Sequence, residues 1–131
     1  MGKPVAKEGD KIVGVDTHIV LVSSPAGPVP TPSPSPFSGK LARSLAASVY
    51  VDGRQAAING SEADNSPSHI PTGGPFQRAP SNVGKISSAS GTVLAGGVGI
   101  ARMGDPATCC NDLGLENTGS VVATGTTVFS G

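Results

Sequence analysis

The sequence lacks most of what usually stabilises a small protein. Its 131 residues include no Trp, one Tyr and three Phe, although aromatic side chains carry much of the buried apolar area in ordinary cores. Its two cysteines are too few for a disulfide framework. We therefore expect stability to come from another source, such as a bound metal or a large oligomeric interface.

The sequence also lacks a net charge and several well-known catalytic and phosphate-binding motifs, and these absences exclude several functions. Nine Lys and Arg balance nine Asp and Glu, which leaves none of the basic excess that a nucleic-acid partner requires. The sequence has no phosphate-binding GxxxxGK[ST], no GxSxG and no HExxH. No apolar run reaches the length of a secretory signal or a membrane span, so we expect synthesis in the cytoplasm without a signal peptide. We predict a protein that is not an enzyme.

A repeat organises the chain. GKPVAKEGD (Gly2 to Asp10), GRQAAINGS (Gly53 to Ser61) and GVGIARMGD (Gly97 to Asp105) align without a gap. Runs rich in Val, Thr and Ser and bounded by Gly precede the second and third segments, and such runs are typical of short strands. We predict a mainly β single domain over 1–131, built from repeat units at about 2–52, 53–96 and 97–131.

Longer segments separate the predicted strands. Residues 23–40 carry six of the twelve prolines, which favours a long extended surface loop or a partner-contacting arm. Residues 68–85 look like the corresponding loop of the second unit, and the third unit has only a short one within 111–119. Residues 41–49 fit either a short helix or a strand.

All histidines and cysteines follow the repeat segments at similar offsets. His18 and His69 each lie eight residues after the end of a segment, and Cys109 and Cys110 lie four and five residues after the third. Three similar units around an axis would bring these side chains together, and zinc binds about four nitrogen or sulfur ligands. We predict a metal site of His18, His69, Cys109 and Cys110.

Several alternatives to this site remain open. Cys109 is the firmer of the two thiol ligands, and water or Asp112 could replace Cys110 as the fourth. Iron also occupies such sites. The histidines could instead be ordinary exposed residues, the cysteines could be small buried residues, or a cysteine and a histidine could form a catalytic pair.

The motifs resemble those of PAAR-repeat proteins. ARMGDPATC (Ala101 to Cys109) carries the resemblance, and PVAKEGD (Pro4 to Asp10) and QAAINGS (Gln55 to Ser61) echo it. The resemblance implies a small β-rich cone with pseudo-threefold symmetry and a zinc ion near its vertex. It also implies a base that sits on the trimeric β-helical spike of a contractile injection system, such as type VI secretion, an extracellular contractile particle or a phage tail. His18, His69 and Cys109 match the family's ligand positions, whereas Cys110 is added on local chemistry.

The resemblance sets the expected partners and the competing hypotheses. The leading hypothesis is a structural spike tip, assembled on a secreted or extracellular particle, that touches the target membrane transiently. A second is an adaptor that carries effector or cargo proteins on its loops. A third is a small zinc- or thiol-dependent enzyme, and a fourth is a β-solenoid that binds no metal.

Overall fold

A computed structural model describes residues 2–112, 118–124 and 127–131. Every regular element in these ranges is a β-strand, and they contain no helix long and apolar enough to cross a membrane. The strands are β1 (Lys3–Pro4), β2 (Lys11–Val22), β3 (Val29–Arg43), β4 (Tyr50–Val51), β5 (Arg54–Gln55), β6 (Glu62–Asn65), β7 (Val83–Ile86), β8 (Leu94–Ala95), β9 (Val98–Gly99), β10 (Pro106–Thr108), β11 (Gly119–Val122) and β12 (Phe129–Ser130). The prediction of a β-rich fold is confirmed.

A closed antiparallel barrel forms the centre of the molecule. Its strands follow the order β10-β11-β2-β3-β6-β7. The hairpin of β2 and β3 is its longest part, with continuous pairing from Lys11↔Lys40 to Val22↔Val29. The neighbouring barrel strands pair only with the first part of this hairpin. On the β2 side, for example, the pairing with β11 ends at Gly14. The far part of the hairpin therefore extends beyond the barrel.

Three small sheets lie outside the barrel, one at each repeat segment. They are the pairs β1-β12, β4-β5 and β8-β9. Just after β1, β5 and β9, the alanines of the three segments join in a closed ring of backbone hydrogen bonds. Ala6 N–H donates to Ala101 O (2.9 Å), Ala101 N–H to Ala57 O (2.9 Å), and Ala57 N–H to Ala6 O (3.0 Å). All three alanines are fully buried, so the ring leaves little room for a larger side chain.

The residue that ends each segment closes a tight turn. Its side-chain oxygen accepts the backbone N–H three residues earlier, at 3.0 Å for Asp10, 2.9 Å for Ser61 and 2.8 Å for Asp105. Short oxygen-bearing side chains stabilise turns by this kind of bond. The recurrence of Asp or Ser at the end of each segment thus has a local structural cause.

The core divides into two clusters. The barrel interior holds Phe37, the largest fully buried side chain, with Ile12, Leu41 and Ile86. Gly84 makes room for Phe37, since a Cβ there would lie 2.9 Å from the ring. A smaller cluster lies beneath the three small sheets and consists of Val5, Ala46, Val51, Ala56, Ala95 and Ile100.

The proline-rich segment differs from its prediction as a loop. Only residues 23–28 form the turn, and Val29–Arg43 forms a strand along β2. Proline is compatible with a strand where its missing N–H faces away from the paired neighbour, and here the prolines alternate with other residues. Residues 41–49 contain the end of β3 and no helix, and residues 68–85 end in β7. Part of the short third-unit loop, 113–117, lies outside the described residues.

Candidate metal centre

Four side chains that can bind a metal converge at the start of the projecting hairpin. Asp16, His18, His69 and Cys110 each place one ligand atom within 4.8 Å of the others. Asp16 and His18 alternate along β2, and residues two apart on a strand face the same side. Both are fully buried. His69 arrives from the segment after β6, and Cys110 lies just beyond β10.

Asp16 is the centre of this group. Its Oδ2 lies 2.9 Å from His69 Nε2 and 3.1 Å from Cys110 Sγ. Cys110 Sγ also lies 3.5 Å from His18 Nε2. The two imidazole rings are 4.9 Å apart between centroids. The atoms are thus close enough to be brought onto one ion by small side-chain movements.

Asp112 orients His18 from the side away from the group. Its Oδ1 lies 3.0 Å from His18 Nδ1, and its Oδ2 accepts the Ile19 N–H at 2.9 Å. A carboxylate in this position holds the proton on Nδ1 and leaves Nε2 free to bind a metal. Burial alone would raise the pKa of Asp112, but its bonds with Ile19, His18 and Arg78 together lower that pKa below its ordinary value.

An asparagine pair holds His69. The Asn65 side-chain nitrogen lies 3.2 Å from His69 Nδ1. The Asn82 side-chain oxygen accepts the His69 backbone N–H at 2.9 Å and the Asn65 amide at 3.3 Å. Phe37 packs against the His69 ring with 6.3 Å between centroids. The ring is therefore fixed by both polar and apolar neighbours.

The second carboxylate oxygen of Asp16 indicates that the group lacks a cation. Asp16 Oδ1 is buried and has no hydrogen-bond partner among the described residues. A buried carboxylate with an unpartnered oxygen is costly unless a cation neutralises it. One carboxylate, two imidazoles and one thiol form a donor set that suits a tetrahedral zinc ion. The residues present therefore fit a bound metal.

The two adjacent cysteines have different surroundings. Cys110 joins the metal-binding group, whereas Cys109 lies in the core of the barrel. Neighbouring residues of an extended chain point to opposite sides, which separates them. Burial raises the pKa of each thiol to about 12, and the charge of Asp16 adds to this effect. Without a metal, both thiols are protonated at neutral pH.

The structure brings together three of the four residues predicted as ligands. His18, His69 and Cys110 meet, and Cys109 does not. Asp112, considered as a substitute ligand, instead holds the His18 ring. Sequence reasoning missed Asp16. The available signal was its position two residues before His18 in a predicted strand, which places both side chains on one face.

One family model matches the C-terminal part of the chain. Residues 77–131 match the family model described as the PAAR motif. The matched segment contains Cys110 but not Asp16, His18 or His69. No curated protein and no solved structure matches the chain significantly. The match covers the last 55 of the 131 residues, and it supports the family predicted from the sequence, the PAAR-repeat proteins of contractile injection systems.

Proposed function

We propose that this protein is a non-enzymatic tip that caps and sharpens the trimeric β-helical spike of a contractile injection apparatus. The observation that carries the proposal is the ring formed by Ala6, Ala57 and Ala101. Equivalent residues of three repeat segments bond in turn around one axis, which supports a pseudo-threefold arrangement. A single chain with this arrangement can match a trimer, which presents the same surface three times.

The three small sheets provide a surface for such a partner. The first residues of β4, β8 and β12 are Tyr50, Leu94 and Phe129, which are 60%, 57% and 60% exposed. Each is a large apolar side chain at the corresponding place in its sheet. Apolar and aromatic side chains commonly anchor protein interfaces, and open strand edges can add main-chain hydrogen bonds. We infer that these sheets form the base that sits on the spike.

Along the first part of the chain, the metal-binding group lies beyond the small sheets, the ring and the barrel. From β1 the chain passes through the ring at Ala6 and the barrel at Ile12 before it reaches Asp16 and His18. We infer that a zinc ion, or an iron ion, binds Asp16, His18, His69 and Cys110 near the vertex. The ion would supply an electrostatic crosslink between three separate segments, and its binding energy would count as folding energy.

A structural role fits this site better than catalysis. A catalytic thiol is activated by a lowered pKa. Burial instead raises the pKa of Cys110 to about 12. Four protein ligands would also close the coordination of a tetrahedral zinc, and catalytic zinc sites keep one position open. We infer that the protein works mechanically, as the stiff point that is pushed through the target membrane.

Binding to the trimeric spike protein of the same apparatus tests this proposal. We expect one chain per trimer when the purified proteins are mixed and analysed by ultracentrifugation. The triple variant Tyr50→Asp, Leu94→Asp, Phe129→Asp should lose binding, because it places three charges in the apolar contact. Val15→Asp changes an exposed apolar residue on the projecting hairpin and should bind normally. Failure of the unmodified chain to bind, or equal binding by the triple variant, would refute the proposal.

A further inference from the structure

Beyond the barrel, the protein covers one edge of the β2–β3 hairpin with its own chain. On the β2 side, Gln77 N–H donates to Ile19 O (2.8 Å), and Asp112 N–H donates to Thr17 O (3.0 Å). These bonds use outward-facing backbone groups that would otherwise be open to another strand. The β2 edge is therefore closed by residues of the same chain.

The opposite edge, on β3, has no such cover in the described part of the chain. β6 pairs with β3 only over Gly39–Arg43. Ser66 N–H donates to Ser38 O (3.0 Å), and the described residues that follow Ser66 make no further backbone hydrogen bond to β3. A cavity of about 330 Å³, lined in part by Pro34 and Pro36, lies beside this edge. The β3 edge before Ser38 is therefore open.

Four prolines occupy the outward-facing positions of this open edge. Ser38 faces away from β2, because its carbonyl accepts from Ser66 N–H and its N–H donates to Asn65 Oδ1 (2.9 Å). Backbone groups of alternate residues in a strand point the same way, so the outward-facing residues before Ser38 are 30, 32, 34 and 36. All four are prolines, which have no N–H. The open edge therefore presents carbonyl groups to water but no donors.

The pairing with β2 gives the same orientation independently. Pro32 lies opposite Ile19, and Pro34 lies opposite Thr17. Ile19 and Thr17 use their backbone carbonyls on the far side of β2, so these are non-hydrogen-bonded pairs of the ladder. A proline in such a pair removes no bond to β2. The hairpin therefore keeps its own hydrogen bonds while its outer edge loses donors.

The prolines of β3 lie only where the edge is open. Ser38 is the first outward-facing residue whose N–H has a partner, and it is also the first that is not a proline. Residues 29–39 contain no Asp, Glu, Lys or Arg. Exposed strand edges are commonly protected from other chains by charged side chains or by proline. This edge has only the second of these protections.

We infer that the four prolines prevent a second copy of this chain from pairing along the β3 edge. Two copies related by a twofold axis at Thr31 would place residue 30 of each opposite residue 32 of the other. With ordinary residues these pairs would form about four backbone hydrogen bonds, since each hydrogen-bonded pair exchanges two. Every one of those bonds needs an N–H at position 30 or 32, and proline supplies none. The edge therefore stays solvated, and copies of the protein stay separate.

Returning two N–H groups to the edge tests the inference. The double variant Pro30→Thr with Pro32→Thr restores both donors with a β-branched residue that suits a strand. We expect the unmodified chain to sediment as a monomer, and the double variant to dimerise with a dissociation constant lower by a factor of roughly ten or more. The restored N–H groups should also exchange with solvent more slowly as protein concentration rises, because they are protected only in the dimer.

A charged pair of substitutions at the same positions is the matched control. Pro30→Lys with Pro32→Lys restores the same N–H groups, but a second copy would place like charges directly opposite one another, which is destabilising. This variant should stay monomeric. It removes the same two prolines, so any general loosening of the hairpin affects both variants. Both should melt near the temperature of the unmodified protein, because neither change removes a bond to β2.

The single variants Pro30→Thr and Pro32→Thr provide a second measurement that does not depend on the double variant folding. Each restores one donor per chain. Each should therefore associate more weakly than the double variant and more strongly than the unmodified chain.

The outcomes separate edge pairing from other causes of association. A monomeric Thr double variant would overturn the inference, and so would equal dimerisation of the Thr and Lys variants, because loosening would then explain it. Each variant is also measured with the base substitutions Tyr50→Asp, Leu94→Asp and Phe129→Asp. Dimerisation that disappears there would assign the contact to the base and would overturn the inference as well. Spike binding plays no part in these measurements, so the inference and the proposed function can fail independently.

Discussion

Asp112→Ala tests whether the metal centre depends on a residue that orients its ligand. The change removes the bond to His18 Nδ1 at 3.0 Å and the bond from Ile19 N–H at 2.9 Å. It leaves His18 in place but without the partner that fixes its proton. Loss of such a partner typically costs a factor of 10–100 in metal affinity, which corresponds to about 1.4–2.7 kcal/mol.

The same variant should also lower the stability of the metal-free protein. An unpaired buried N–H costs about 1–3 kcal/mol, and Ile19 N–H is part-buried, so we expect a loss toward the lower end of that range. For a chain of this size, each kcal/mol shifts the melting temperature by roughly 3–5 °C. Asp112→Asn should recover part of both losses, because an amide can accept from His18 or from Ile19 but not from both.

Competition with a fluorescent chelator measures the zinc affinity, and thermal melting followed by circular dichroism measures stability. Asp64→Ala is the control, because it removes a carboxylate whose bond to Arg43 is exposed. We expect that variant to keep the affinity and nearly all of the stability, since exposed ion pairs contribute little. If Asp112→Ala binds zinc as tightly as the unmodified protein, the orienting role is refuted.

Three further predictions concern packing and the thiols. Gly39→Ala should destabilise the fold by about 1–3 kcal/mol in urea unfolding, because its Cβ would lie 2.5 Å from the Asp64 carbonyl oxygen. Gly91→Ala is the control and should be nearly neutral, because a Cβ there has nothing within 4 Å. Equal unfolding midpoints for the two variants would contradict the close approach of the strands. In the metal-free protein, Cys109 and Cys110 should react slowly with a disulfide reagent at neutral pH, because burial raises the pKa of both thiols to about 12. The unfolded chain ionises its thiols near their ordinary pKa of 9.0, so metal-free stability should fall as pH rises above about 9. Fast labelling at neutral pH, or stability that does not fall above pH 9, would show that the thiols are not buried as described.

The sequence was most informative where local chemistry repeats. The Gly, Ala and Asp or Ser positions of the repeat segments indicated turns and strands, and the structure gives the Ala and the Asp or Ser positions definite roles. Ala6 contributes to the buried ring, and Asp10 caps its turn. The short runs rich in Val and Thr also indicated a β-rich fold, because few other structures accommodate them.

The sequence was least informative where long-range pairing decides the structure. Proline content suggested a loop at 23–40, but pairing with β2 makes most of it a strand. Composition could not reveal which side of the strand the prolines face. That depends on the register with β2, which is set by residues distant in the chain.

The candidate site was likewise predictable from the sequence only in part. Equivalent offsets in the repeats pointed to His18 and His69, and the structure places them together. The offset could not separate Cys109 from Cys110, because adjacent residues differ only in the side of the chain that they face. Asp16 was not predicted, because the prediction considered mainly nitrogen and sulfur ligands. Alternation along β2 nevertheless puts Asp16 on the same face as His18.

Metal content and its effect on stability test the central claim most directly. Elemental analysis of the purified protein should find about one zinc ion, or one iron ion, per chain. Removal of the ion with a chelator should lower the melting temperature strongly, and Asp16→Ala should abolish metal binding. A metal-free protein whose melting is unchanged by chelator would contradict the account, because the buried group around Asp16 would then be stable without an ion.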